Sequence, residues 1–392
     1  MPFPFVRRRV APLAGIAAAA LLALGALGAF HPDAKDGGAF FVMLGKDTLA
    51  AESYVRMDTV LTGTAVVRRD KMTITRYYTL TLDKGGNLLK YEVAHYAPGT
   101  GPGQKPLVHA VVTPMGDAMH EVVETDSAHS LHLKTPRNTL VFLDLGFGIW
   151  ETVVMRAVRS GQDSTVIPMF FVDDTVIYQV VVRKAGKDSV TITSVYGVAR
   201  AKIDAQGHLL GYTAPGSTQQ VVVTRLPSLD VQAFAAMYAN RPFGPSSPHD
   251  SVTATIGGAA VKVWYSRPST RGRVIFGTVV PWNTVWRTGA NNATAFTTDK
   301  DLVIGGAAVP AGSYTLFTLP GPTGWKLIVS KKTKEWGTEY DPTADLARIN
   351  MTVAALATPV EQLTIAIAPQ GTGGTLTVSW EKTAASVAIR AK

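Results

Sequence analysis

Met72-Thr73-Ile74-Thr75-Arg76-Tyr77-Tyr78-Thr79-Leu80-Thr81-Leu82 alternates apolar and polar side chains, breaks at Asp83-Lys84-Gly85-Gly86-Asn87, and resumes over 88–95. A period of two marks a strand with one buried face, and a glycine-bearing break between two such runs marks a hairpin. Working outward, the same alternation dominates residues 40–225. Further runs fall at 175–182, 189–195, 199–203, 209–213 and 219–224, with turns such as Ala205-Gln206-Gly207 between them. Strands at this spacing predict an antiparallel meander. Two segments carry helical spacing instead. Residues 143–160 place Leu145, Ile149, Val153, Val154, Met155 and Ala157 for a helix, and 229–238 place Val231, Phe234, Ala235 and Tyr238 behind Asp230. A lone helix within a long meander is expected to cover the concave face of a curved sheet or half-barrel.

That layout is similar to the open half-barrels of periplasmic lipoprotein carriers, in layout alone. Asn240-Arg241-Pro242-Phe243-Gly244-Pro245-Ser246-Ser247-Pro248-His249-Asp250 resists both helix and central strand, because its prolines lack the backbone donor. It is read as a linker over 240–250, between a β-rich domain at 30–239 and a second domain at 251–392. The second domain again reads as strands, at 260–265, 293–298, 313–319, 325–329, 347–353, 362–367, 375–381 and 386–390. Eight strands without a long helix predict a β-sandwich or jelly roll. The fold class is thus all-β, in two domains.

Bulk properties bound the function. Hydrophobic residues make up 46% of the 392 and charged residues 17%, enough apolar material for packed cores. The formal net charge of +9 dissolves when divided by region. Residues 1–29 hold three arginines and no acid, 30–250 balance 21 basic against 21 acidic residues, and 251–392 hold 14 against 8. Nothing concentrates a basic face of the kind nucleic acid requires, so no nucleic-acid partner is expected. Cysteine is absent, which removes disulfides and the bacterial lipoprotein anchor alike.

Arg7-Arg8-Arg9 followed by an uncharged run from Val10 to Phe30, with small residues at Ala26-Leu27-Gly28, has the grammar of a secretory signal. The run is long for a signal and nearly long enough to span a bilayer. Residues 1–29 are therefore read as a signal peptide, with an uncleaved inner-membrane anchor as the alternative. Either way the rest of the chain is expected outside the cytoplasm, periplasmic or secreted.

The second domain carries distinctive strings. Tyr265-Ser266-Arg267-Pro268 precedes Arg271-Gly272-Arg273, Ile275-Phe276-Gly277, Val280-Pro281-Trp282 and Val285-Trp286-Arg287-Thr288-Gly289-Ala290-Asn291. Leu302-Val303-Ile304-Gly305-Gly306, the 309–320 run, Trp336-Gly337 and Ser379-Trp380-Glu381 follow. Together these resemble the domain of unknown function 2911 family over 251–392. The resemblance implies a domain of bacterial, often exported, proteins and no established activity.

Six of the seven tryptophans lie in this second domain. Arg267, Arg271, Arg273, Trp282, Trp286, Arg287, Asn291 and Asn292 form its candidate ligand-binding set, with Arg267, Arg287 and Asn291 foremost. Arginine forks hold carboxylate, phosphate or sulfate, and indole faces suit sugars or cations. The competing reading is structural: tryptophans fill small sandwiches, and arginines tie loops to carbonyls. A Ser-His-Asp triad inside 251–392 is excluded because that segment has no histidine. Glu335, Glu339, Asp341 and Asp345 read as a solvated loop rather than a glycosidase pair. His95, His109, His120, His129 and His132 read as exposed strand residues; no metal site and no cofactor are expected. The sequence therefore points to an exported envelope or periplasmic binding or accessory protein for a small molecule, glycan or envelope component, without a catalytic set. A secreted hydrolase of carbohydrate or another envelope polymer and a structural interaction module are the alternatives.

Overall fold

A computed structural model describes residues 36–214 and 220–392, so the N-terminal segment and its export reading lie outside the described residues. The first domain contains β1 (Asp36–Leu44), β2 (Asp47–Met57), β3 (Val60–Arg68), β4 (Thr73–Leu82), β5 (Leu88–Tyr96), β6 (Val108–Met115), β7 (Ala118–Glu124), β8 (Ala128–Lys134), β9 (Leu140–Phe142), α1 (Phe147–Arg159), β10 (Ser164–Phe171), β11 (Tyr178–Lys184), β12 (Ser189–Ser194), β13 (Gly197–Ile203), β14 (Leu209–Thr213), β15 (Val221–Leu226) and α2 (Val231–Tyr238). The fifteen strands form one sheet in the order β8-β7-β6-β5-β4-β3-β2-β1-β15-β14-β13-β12-β11-β10-β9. Every pairing is antiparallel except that of β9 with β10.

The connection between the sheet's two ends forces it to curl. β8 ends at Lys134 and β9, at the opposite end, begins at Leu140. The intervening residues reach about 20 Å fully extended, so the first and last strands lie close together. Side chains bridge the gap that the backbone ladder leaves. Glu121 on β7 accepts the Asp173 N–H at 2.9 Å, and His129 on β8 meets Asp173 at 2.7 Å.

The expected helix over 143–160 forms as α1 and fills the curl. Nine consecutive residues from Phe147 to Met155 are buried, so every face of the helix is enclosed. Gly146 offers the helix start no side-chain cap. The cap comes from β2, where the Glu52 carboxylate accepts the N–H groups of Phe147 and Gly148 as well as the Tyr78 hydroxyl. One turn on, Glu151 is wholly buried. It accepts from Tyr54 Oη at 2.6 Å, from Leu209 N at 2.9 Å, and from the guanidinium groups of Arg56 and Arg225. A charge-pinned core therefore occupies the concave face, and a cleft of about 450 Å³ opens beside it, lined by Arg56, Leu61, Thr152, Met155 and Arg156. The second helix packs on the outside, Val231 and Phe234 resting on Ala51 and Val66, with Asp230 capping it through the Ala233 N–H.

The second domain comprises β16 (His249–Ile256), β17 (Ala259–Ser266), β18 (Thr294–Thr298), β19 (Leu302–Ile304), β20 (Ala307–Val309), β21 (Gly312–Pro320), β22 (Trp325–Ser330), β23 (Asp345–Gln370) and β24 (Gly373–Ala391), paired in the order β16-β17-β18-β21-β22-β23-β24-β19-β20. Four of the strands expected from sequence are two here. The runs at 347–353 and 362–367 belong to β23, and those at 375–381 and 386–390 to β24. Between the two runs the chain does not turn back; bulges between Ala355 and Thr364, a stretch that includes Pro359, bend the ribbon instead. The bent ribbon folds back over β17. There Tyr265 Oη accepts the Ile365 N–H at 2.9 Å, and Pro268 O accepts that of Leu363 at 2.9 Å. One apolar core lies between the layers, with Trp325 and Trp380 in it. β16 starts at His249, two residues inside the expected linker.

Candidate functional site

The two domains are stitched together by tight backbone contacts. Gly45, in the β1–β2 turn at φ 60°, sits so close to the second domain that a Cβ there would fall 1.9 Å from Arg271 O. The same carbonyl accepts the Lys46 N–H at 2.9 Å, and Arg271 Nη1 pairs with Asp47 at 2.5 Å. Phe243, the one large apolar residue of the linker, is clamped between an arginine from each side. Arg68 lies 5.4 Å and Arg271 3.9 Å from its ring centroid, and its N–H donates to Arg69 O at 2.9 Å. The linker is thus an ordered staple.

Beside this seam opens a cleft of about 400 Å³ with walls from both domains. Leu44, Arg68, Arg69, Asp70, Asp144 and Leu145 contribute from the first domain; Arg271, Arg273, Trp286, Arg287, Asn291 and Trp380 contribute from the second. The expected set therefore divides. Arg271, Arg273, Trp286, Arg287 and Asn291 converge on the cleft. Trp282 packs on Gly277 and Phe276 and does not line it. Asn292 bridges to Trp336 on the neighbouring loop. Arg267 is consumed by the fold: its guanidinium donates to Leu363 O at 2.9 Å and Thr364 Oγ1 at 2.9 Å, and pairs with Asp250 at 2.9 Å. The first-domain wall was not foreseen. Its only sequence signal is Phe243, a bulky apolar residue isolated among prolines and glycines.

Most cleft arginines are also engaged. Arg68 donates to Thr48 O at 2.6 Å and Arg241 O at 2.9 Å, and Arg69 pairs with Asp144 at 2.7 Å. Arg273 donates to Thr270 O at 2.9 Å and Ser269 O at 2.8 Å. Arg287 is different. Its Nε is buried without a partner, and among the described residues no hydrogen bond, ion pair or ring contact engages its guanidinium. Burial holds its pKa below the ordinary arginine value, yet a guanidinium stays protonated in proteins.

The loop around Arg287 is built to hold it there. Thr288 is fully buried at φ 52°, and Asn291 sits at φ 59°. A β-branched residue in the left-handed region is a strained one. Thr288 is kept in place by hydrogen bonds to Thr318 Oγ1 at 3.2 Å and from Thr294 Oγ1 to its carbonyl at 2.9 Å. The Arg287 stem crosses directly over Gly337, where a Cβ would lie 1.9 Å from Arg287 Cδ. Trp286, fixed by its Nε1 donating to Gly289 O at 3.1 Å and stacked on Trp380 at 5.7 Å, stands beside it.

Residues 247–389 match the family model DUF2911, a protein of unknown function. All the cleft residues of the second domain from Pro268 onward lie in this DUF2911 region, whereas those of the first domain lie outside it. Two solved structures show similarity to the chain. A DUF1089 family protein from Pseudomonas aeruginosa is 13% identical at a TM-score of 0.31, over 42% of this chain and 90% of that one. A β-barrel-like DUF1849 protein from Brucella abortus is 11% identical at a TM-score of 0.34, over 48% of this chain and 94% of that one. No curated protein matches the chain.

Other expected features resolve as follows. The early start of β16 places His249, just upstream of the segment read as free of histidine, opposite Ser266 in the DUF2911 domain, with Nδ1 3.1 Å from Oγ. Ser266 is only 1% exposed, so the pair fastens two strands and presents no nucleophile. The acidic stretch is not uniformly solvated. Glu335 is buried with one carboxylate oxygen unpartnered, and Asp345 binds Tyr340 and Arg348. The histidines disperse: His109 bridges Glu92 and Glu124, His120 stacks on His132, and His95 faces inward, its pKa pushed down to about 3 by burial and by Arg76 and Arg69. No metal-holding group of three His, Asp or Glu was found among the described residues.

Proposed function

We propose that this is an exported, envelope-associated binding protein whose ligand site is the cleft between its two domains. Arg7-Arg8-Arg9 and the uncharged run after them support export. The observation that carries the site is the half-buried Arg287 guanidinium, without a partner among the described residues in a cleft of about 400 Å³. That volume lies in the range of small-molecule pockets. A stapled seam on one side and a strained loop on the other give the pocket preformed walls, which lowers the ordering cost of binding.

The test is mass spectrometry of small molecules retained by full-length protein purified from its native envelope, beside an Ala290→Trp variant that fills the cleft. A retained species lost in the variant is the expected result. Retention that Ala290→Trp leaves unchanged, or a chain recovered only from the cytoplasm, would overturn the reading.

A further inference from the structure

We infer that the ligand enters this cleft by an oxyanion, a carboxylate, sulfonate or phosphate, held by the guanidinium of Arg287; the inference rests on the cleft being the binding site. Each other arginine at the seam already has its acceptors. Arg68 and Arg273 spend theirs on backbone carbonyls, and Arg69 and Arg271 on Asp144 and Asp47. Arg287 alone among the lining arginines has no hydrogen-bond or ion-pair partner among the described residues. Five arginines line the cleft against two aspartates, Asp70 and Asp144, so the local field favours an anion.

A guanidinium drawn partly out of water and left unpaired costs free energy. A bound oxyanion would recover it through charge-assisted, two-pronged hydrogen bonds, the geometry in which arginine outperforms lysine. The strain at Thr288 and the bare backbone of Gly337 under the arginine stem have one common effect, which is to fix where that guanidinium lies. A side chain needed only for packing would not require its charged end to be positioned.

The experiment titrates the full chain at low ionic strength with inorganic phosphate, inorganic sulfate, benzoate, and benzamide as the neutral counterpart of benzoate, by calorimetry and ligand-detected NMR. At least one anion should bind and benzamide should not. Arg287→Ala should weaken the anion by at least about tenfold, the scale of a lost charge-assisted hydrogen bond, and Arg287→Lys should restore part of it. Arg390→Ala, which removes an exposed charge on β24, should change nothing, and melting curves confirm that each variant folds. No anion binding, equal binding of benzamide, or binding indifferent to Arg287→Ala would overturn the inference. A neutral molecule retained in a cleft-dependent way from the envelope would sink the oxyanion and leave the cleft reading standing.

Discussion

Glu151 in the first domain and Arg287 in the second are both charged side chains drawn out of water, and they meet different surroundings. Glu151 has two guanidinium groups, a tyrosine hydroxyl and a backbone N–H aimed at its two oxygens. Arg287 has none of the complementary kind among the described residues. In the curled sheet, buried charge fastens a helix to the strands around it. In the second domain it is left open beside solvent. Full pairing is what a structural charge looks like; an open one held by a strained loop is what the proposal reads as a binding group.

The largest effect should come from the paired side of this contrast. Removing one member of a buried ion-pair cluster strands the others, at a cost of about 3–5 kcal/mol. Glu151→Ala should lose that much stability in urea unfolding, because Arg56 and Arg225 are left with the partly exposed Asp36 as their one shared counter-charge among the described residues. Arg287→Ala should lose less than about 1 kcal/mol in the same experiment, since no partner is left stranded. Equal losses at the two positions would erase the distinction.

Next comes pH. Burial pushes the Glu52 carboxyl up to about 7, above its ordinary 4.5, despite hydrogen bonds from Tyr78, Phe147 and Gly148. The folded state therefore prefers the protonated acid. Its contribution to stability is complete below the ordinary value and is lost as pH rises through the folded one. At about 1.4 kcal/mol per pKa unit, stability should fall by about 2–3 kcal/mol between pH 4.5 and 7. Glu52→Gln should flatten that slope, and a slope that survives the substitution would mean another group titrates there. Arg287, a guanidinium, stays charged throughout.

The smallest change sharpens the open side. Gly337→Ala sets a methyl group against Arg287 Cδ and Asn291 O. Overpacking of this kind costs about 1–3 kcal/mol. It should also displace the guanidinium and weaken anion binding as Arg287→Ala does. Binding unchanged in a destabilised Gly337→Ala variant would show that the arginine's position is not what matters.

The hairpin at 72–95 was legible because alternation and a glycine turn are local signals, and β4 and β5 follow it closely. The helix over 143–160 was legible for the same reason. The fusion of strands in β23 and β24 was not, because the one mark at the bend, Pro359, reads equally as a strand break or as a bulge, and only the partner strand decides which. The arginines show the same divide at the site. Arg267 and Arg287 sit in similar strings, yet one is spent on the edge of β23 and the other is free. Neither string reports which acceptors the rest of the chain brings within reach.

What the sequence by itself determined is the periodic content of the chain: strands, two helices, turns, and the DUF2911 strings that supply the arginines and tryptophans. Those follow from alternation and spacing, which are properties of neighbouring residues. Only the tertiary structure decided that α1 fills the curl, that Glu52 caps it, that Phe243 staples two domains, and that Arg287, of the arginines lining the cleft, has no partner among the described residues. Each of these depends on residues tens to hundreds of positions apart meeting in space, and on whether the partners that arrive are enough to satisfy a buried charge.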